Sequence, residues 1–579
     1  MARVIWGEST STLSAVQDDG TMISSTLRRG VMGALGIGMT LQVILMLGVL
    51  LVGVLADTAV PGRNTATLWG LLFLGLVLYG VFGLLDSLRS RLFFDVAGAI
   101  DQRLAPRVHD GVSHVARVGA PDGDGLGPLH DANRLRAFLM GPIPSALIDL
   151  CVAPFSLLML FALHAWVGLV GLAAMIVLGL MAWLLGRSAG QKAETLDELR
   201  PLRWMVAEES RRNAVVARAM GMEGRLRQRW IGASQEDLLA ERALHGRSVG
   251  LVGAARGFRL VLFILLLTIG AALAFTDRAA WSTALIAALL LYQVLAPVEL
   301  AVTGWGDYTG ARSAWERLNL LLRQMPLRDI TTLLPRPETE LTTEQVYVFA
   351  PGTQRPVVNN VGIRLAAGDS LGIMGQTGAG KTALLNAIAG IWPLARGVIR
   401  MDGAALDQWD EEELGKFVGY VPQQVELIEG TVAQNIARFD ADAPTEAVLA
   451  AARRAHVHDL ILRLPDGYET QVGRGGQLLP AGLRQRIAVA RAVFGKPFIL
   501  LLDDPTSNMD GDGEKMLAQV MEDVCDEGGI VIVVTHRPAL MHRVDYIMQL
   551  QAGSMAAFGP AGQILQRAEE QRVQALGQA

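Results

Sequence analysis

Apolar residues in the first half of the chain come in six long runs, roughly 31–55, 67–88, 138–163, 166–187, 250–275 and 280–303. In the second half they come in short bursts bounded by glycine and acidic residues. Each long run approaches or exceeds the roughly 20 residues that a helix needs to cross a bilayer. LQVILMLGVLLVGVL and LFILLLTIGAALAF are apolar on every face, which a half-buried helix of a soluble core is not. The pattern predicts six transmembrane helices.

The connections alternate. ADTAVPGRNTA, the link near His164-Ala165 and TDRAAWS are short and carry few basic residues, whereas 88–137 and 188–249 are long and arginine-rich. Basic residues stay on the cytoplasmic side, so the long segments are expected inside, as is the N-terminus with Arg28 and Arg29. Both chain termini are then cytoplasmic. Within the long segments, SRSRLFFDVAGAIDQRLAPRV and ELRPLRWMVAEESRRNAVVARAMGM keep the helical spacing of apolar residues. They read as helical extensions of the spans, either pressing on a soluble domain or simply solvated. Residues 1–27 are polar, rich in Ser and Thr, lack the apolar core of a secretory signal and read as a disordered cytoplasmic tail. The transmembrane domain is expected over 28–320, and Met325-Pro326, Leu334-Pro335 and Pro337 mark a linker over 321–340.

Composition agrees with a membrane half joined to a soluble half. Of 579 residues 51% are hydrophobic, and the mean hydropathy is +0.34. The net charge of −5 calls for no nucleic acid. Cys151 and Cys525, the two cysteines, make neither a disulfide framework nor a metal site arguable.

The chemistry lies beyond residue 340. LGIMGQTGAGKTALLNAIAG reads as a strand, a glycine loop and a helix, and Gly375-Gln376-Thr377-Gly378-Ala379-Gly380-Lys381-Thr382 fits the phosphate-loop pattern completely. Its glycines let backbone N–H groups converge on phosphate oxygens at a helix N-terminus; Lys381 reaches the β and γ phosphates, and Thr382 can ligate Mg²⁺. Farther on, FILLLDDP ends a strand in two carboxylates. Asp503 is placed to hold Mg²⁺ through water, and Asp504 to orient or deprotonate an attacking water. IVIVVTHRP ends another strand at His536, a candidate γ-phosphate contact.

With these residues in place, 335–560 resembles the nucleotide-binding domain of ABC transporters. GYVPQQ carries the Q-loop Gln423, Ser507-Asn508-Met509-Asp510 resembles the D-loop, and His536 the switch histidine. The resemblance implies an all-α six-helix transmembrane domain of the type I ABC exporter kind, followed by an α/β P-loop domain over 341–565 and a C-terminal tail over 566–579. It implies ATP and Mg²⁺ as cofactors, with Gln423 joining Thr382 and Asp503 at the metal, and two ATPs sandwiched between paired domains. GLLDSLRSRLFFDVAGAIDQRLAPRV, NRLRAFLMGP, LAPVELAVTGWGDYTGARSAWERLN and VELIEGTVAQNIARF are similar to the permease/ATPase of bacterial type I secretion systems, the protease and RTX-protein exporter branch. That resemblance implies an inner-membrane dimer in lipid, a periplasmic membrane-fusion protein, an outer-membrane channel and an unfolded polypeptide substrate.

Three positions depart from the family. Where an adenine-stacking aromatic precedes a proline, the chain has Ala350 before Pro351, leaving Tyr347 or Phe349 as substitutes; a lost stacking contact weakens binding by about 1–3 kcal/mol. The catalytic glutamate position holds Asp504, one methylene shorter, so the carboxylate falls on the order of 1 Å short, and hydrolysis is expected to be slow. The signature site reads Leu479-Pro480-Ala481-Gly482-Leu483. Pro480 brings neither hydroxyl nor N–H, Ala481 adds a methyl and Leu483 removes an amide, while Gly482 and the helix carrying Arg484 and Arg486 remain. Two functions follow as expectations: an ATP-driven exporter subunit, as homodimer or as the weaker half of a heterodimer, or an ATP-binding membrane regulator or scaffold. The membrane-length runs exclude a soluble ABC ATPase such as those of DNA repair.

Overall fold

The computed structural model describes residues 10–118, 125–275, 280–325, 334–350, 353, 355–507 and 509–567. The chain divides near residue 327 into two compact units.

The first unit is helical throughout its described residues: α1 (Thr10–Val54), α2 (Thr65–Val118), α3 (Gly127–Met140), α4 (Ile143–Leu163), α5 (Ala165–Arg212), α6 (Ala214–Ala219), α7 (Glu223–Phe275), α8 (Trp281–Thr303) and α9 (Trp305–Gln324). Among the described residues five helical stretches are long and apolar enough to cross a membrane: Ser25–Ala59, Thr65–Val115, Ile143–Leu163, Gly253–Phe275 and Trp281–Leu300. The sixth expected run is represented by the shorter apolar stretch Ala165–Met181 at the start of α5. Short connections are capped locally. The Asn64 carboxamide accepts from Ala66 N (3.0 Å) and Thr67 N (3.2 Å) at the start of α2, and His164 Nδ1 accepts from Trp166 N (3.3 Å) at the start of α5.

Three boundaries differ from expectation. The helix begins at Thr10, inside the stretch read as a disordered tail. No proline interrupts 10–54, so once the apolar run is helical each added turn costs little. The run expected at 138–163 is broken between Met140 and Ile143, because Pro142 and Pro144 favour a helix's first turn and not its interior. The presumed linker is still helix to Gln324, and 326–333 of it lie outside the described residues.

Polar groups within the helical bundle pair with one another. Arg89 of α2, 7% exposed, bridges Asp86 (2.8 Å) and Asp149 of α4. Glu299 of α8 takes Arg256 (2.7 Å) and Arg259 (2.8 Å) of α7, and the Arg259 guanidinium lies 4.3 Å from the Tyr292 ring centre. Gln42 bonds Ser156, and Ser282 bonds Asp57. Asp149 and Glu299 are thus paired, as burial of a charge requires.

The second unit holds a ten-stranded sheet in the order β5-β4-β1-β2-β10-β9-β3-β8-β7-β6. The strands are β1 (Glu340–Phe349), β2 (Pro356–Ala366), β3 (Ser370–Gly375), β4 (Leu394–Met401), β5 (Ala404–Ala405), β6 (Val418–Val421), β7 (Ile499–Asp503), β8 (Ile530–Val534), β9 (Tyr546–Gln551) and β10 (Ser554–Pro560). β3, β8, β7 and β6 run parallel, while β1, β2, β4 and β5 form an antiparallel wing. β7 and β8 are buried at every residue, which is why their sequences are unbroken apolar runs and do not alternate. Covering helices include α10 (Lys381–Ile388), α11 (Glu411–Phe417), α12 (Val432–Ile436), α13 (Thr445–Arg454), α14 (His458–Leu462), α15 (Ala481–Val493), α16 (Gly511–Asp526) and α17 (Pro538–Met541).

The beginning of this unit is clipped. Asp402, left-handed at φ +49°, follows β4 and accepts from Glu338 N (2.7 Å), Thr339 N (2.9 Å), Thr339 Oγ1 (2.6 Å) and Glu340 N (2.8 Å). Burial works to raise its pKa, but the Thr339 hydroxyl and the three backbone N–H groups outweigh it and hold the carboxyl below its usual range.

Candidate functional site

Because β3, β8, β7 and β6 are parallel neighbours, their C-terminal ends share one edge of the sheet, where ligands of open α/β sheets bind. That edge gathers the sequence-predicted residues. Gly375 ends β3, Asp503 ends β7 with Asp504 next, His536 lies exposed just beyond β8, and Gln423 lies exposed just beyond β6.

The loop from Gly375 to Gly380 wraps the start of α10. Gly378 and Gly380 take φ of +81° and +95°, and a Cβ on Gly380 would lie 2.6 Å from Val357 O, so a side chain fits neither conformation nor space. Ala379 is buried and its carbonyl accepts from Gly553 N (3.2 Å), tying the loop to the β9–β10 turn. Gln376, Thr377 and Gly378 are exposed. Lys381 Nζ donates to Gly375 O (2.7 Å) and Gln376 O (3.0 Å), so its ammonium lies over the loop. Burial lowers the Lys381 pKa, against the pull of the Asp503 and Asp504 charges.

Asp503 is 2% exposed, and burial raises its pKa, opposed by a hydrogen bond from the Thr382 hydroxyl, with the Asp504 charge adding to the rise and Lys381 countering it. Its Oδ2 is buried without a hydrogen-bond partner. A carboxylate and a hydroxyl side by side, one oxygen unsatisfied, form a donor set that suits a hard divalent cation. Asp504 is left-handed at φ +44°, its N–H bonded to Val534 O (2.8 Å). This cluster can hold a polyphosphate by Lys381 and the loop N–H groups, with a carboxylate poised beside it.

Other predicted residues stand elsewhere. Tyr347 is half-buried in β1 opposite Arg396, whereas Phe349 at the strand end is 41% exposed; Pro351 lies outside the described residues. Pro480 is exposed and precedes α15 as its N-cap, with no side-chain capping bond. The first helical bond is Arg484 N to Pro480 O (3.0 Å), so the N–H groups of Ala481, Gly482 and Leu483 come before it. The Leu483 side chain is turned to the core, and α15 opens with no side-chain hydroxyl at its N-cap. Among the described residues no hydrogen bond joins Pro480 or Gly482 to the phosphate loop. Asn508 lies outside the described residues; Asp510 caps α16, accepting from Gly513 N (2.9 Å).

Two further residues were not singled out from sequence. Tyr420, in β6 three residues before Gln423, donates to Asn386 Oδ1 of α10 (3.0 Å) and so ties the Q-loop strand to the phosphate-loop helix. Burial, with the Asp503 charge, pushes its pKa to about 12. Gln485 of α15 is fully buried and donates to Pro505 O (2.9 Å). The phrases GYVPQQ and LRQR contain these residues, but nothing in their spacing marks a partner.

Residues 358–507 match the ABC transporter family. The chain is 41% identical over 509 residues, 88% of each sequence, to the type I secretion system ATP-binding protein PrsD of Rhizobium meliloti (strain 1021). It is 26% identical to the cyclolysin secretion/processing ATP-binding protein CyaB of Bordetella pertussis (strain Tohama I / ATCC BAA-589 / NCTC 13251), over 90% of this chain and 74% of that one. Among solved structures, that of a bacterial Atm1-family ABC exporter with ATP bound shares the fold, with a TM-score of 0.79 at 21% identity over 95% of this chain and 98% of the other.

Proposed function

The chain belongs to the ABC transporters of type I secretion systems, and from that premise we propose that it is the inner-membrane ABC subunit that drives an unfolded polypeptide toward a periplasmic membrane-fusion protein and an outer-membrane channel. It is a multi-pass membrane protein whose ATPase is coupled to polypeptide export. The observation that carries the finer reading is the gathering of Lys381, Thr382 and Asp503 at one sheet edge, in a chain whose other unit is built of membrane-length apolar helices.

In this reading Lys381 exchanges its loop carbonyls for β and γ phosphate oxygens, while the loop N–H groups hold the remaining ones. Thr382, Asp503 and Gln423 would hold Mg²⁺, which when bound neutralises developing phosphate charge. Asp504 orients or deprotonates water, and His536 meets the γ phosphate from the next strand. Phe349 is better placed than Tyr347 for adenine, being exposed at the strand end.

Pro480 and Gly482 open the helix that meets ATP held by a second ABC subunit. A homodimer would combine Asp504 with LPAGL at both sites and turn over slowly; a heterodimer would separate them.

The test is secretion by cells that depend on this chain. Lys381→Ala should abolish release of the cargo polypeptide while the protein still reaches the membrane. Unchanged release would overturn the exporter reading in favour of an ATP-binding regulator.

A further inference from the structure

We infer that Gln485 is a positioning residue for ATP hydrolysis: from inside α15 it holds the turn that carries Asp504. The inference rests on the reading of Asp504 as the carboxylate that orients water.

Asp504 adopts a left-handed backbone, φ +44°, uncommon for a residue with a side chain although aspartate tolerates it better than most. On one side the Asp504 N–H is bonded to Val534 O at 2.8 Å. On the other side comes Pro505, which has no N–H, so its carbonyl is its only hydrogen-bonding backbone group. Gln485 Nε2 donates to that carbonyl at 2.9 Å, and the Gln485 side chain is fully buried. A carbonyl oxygen only accepts, so the amide orientation is fixed without ambiguity. Thr506, the next residue, is also fully buried, and Met509 N closes the turn on Thr506 O (3.1 Å).

A second link comes from the same helix. Arg486 reaches Asp510 Oδ1 at 3.1 Å, where Asp510 caps α16. Neighbouring residues of α15 thus brace both ends of the segment from Pro505 to Asp510. The Arg486 link is part-exposed and screened by solvent, so the buried Gln485 bond is the one expected to set the carboxylate's position.

The experiment uses the full-length chain in lipid nanodiscs with Mg²⁺ and radiolabelled ATP, which resolves slow turnover. Gln485→Leu keeps the buried bulk and removes the donor; Gln485→Met does the same with an unbranched side chain should the leucine not fold. Either should lower kcat about tenfold with KM within about twofold of wild type, and added to Asp504→Asn it should lower the rate no further. Amide exchange should quicken at Asp504, Thr506 and Ser507 and stay unchanged over 375–382. Wild-type kcat in both Gln485 variants, or a loss additive with that of Asp504→Asn, would overturn the positioning role alone. Wild-type kcat in Asp504→Asn itself would overturn the Asp504 reading and the inference with it.

Discussion

Two helices of the second unit, α10 and α15, open from glycine turns toward sites where phosphate chemistry is expected, and they differ in what was kept. At α10 the backbone geometry and the side chains agree: Gly380 supplies the left-handed N-cap, Lys381 closes over the loop and Thr382 meets Asp503. At α15 the glycines of the preceding turn still take positive φ (Gly473, Gly475 and Gly476), but the N-cap is Pro480 and the first turn carries no acidic or capping side chain. What survives there is the buried face, Gln485, Ile487, Ala488 and Val489. On the proposed reading of α15, packing can hold a helix in its place in the fold while its ligand contacts are few, because burial depends on one face and phosphate recognition on the other end.

The largest expected effect strikes the carboxylate that follows β7, beside the first of these regions. Asp504→Asn should lower single-turnover hydrolysis by about 10- to 10²-fold, less than a fully placed general base would contribute, while leaving ATP affinity unchanged, as measured by filter binding. Equal loss of affinity would mean that Asp504 belongs to the binding cradle. The double change Pro480→Ser and Ala481→Gly should raise turnover roughly 10-fold or more, the scale of a regained hydrogen bond to a charged group. If turnover stays flat, α15 is not limiting, and the contrast with α10 loses its functional meaning.

The smallest effect is a pH dependence. Burial raises the Asp503 pKa, so as pH falls the carboxylate is protonated and its hold on Mg²⁺ is lost at a higher pH than an ordinary carboxylate would show. Burial lowers the Lys381 pKa, so on the alkaline side the ammonium is neutralised earlier than a free lysine. Mg²⁺-dependent ATP binding should therefore decline on both sides of neutrality, by a few fold, and the acid limb should be absent when ATP binding is measured without Mg²⁺. An acid limb that persists without the metal would assign it to another group.

How much of this was legible in the sequence depended on whether the signal was local. The phosphate loop was, because positive φ at Gly378 and Gly380 demands glycine at fixed spacing from Lys381. Strands β7 and β8 were, because burial on both faces writes an unbroken apolar run. The helix reaching back to Thr10 was not, since polar residues are as compatible with a helix end as with a tail. The pairing of Asp149 with Arg89 and of Glu299 with Arg256 and Arg259 was hidden for another reason: each joins residues far apart in the chain. Gln485 was hidden likewise, since a glutamine in an amphipathic helix reads as surface until the fold supplies the Pro505 carbonyl.

The clip at Asp402 has a mechanical side. Four hydrogen bonds from residues 338–340 converge on one carboxylate at the end of β4. Tension arriving along the chain ahead of β1 would meet that knot before the β1 ladder, and would load the β4–β5 hairpin and not draw β1 residue by residue from between β4 and β2. Force on the first strand of the nucleotide unit is thereby carried sideways into the sheet as a body.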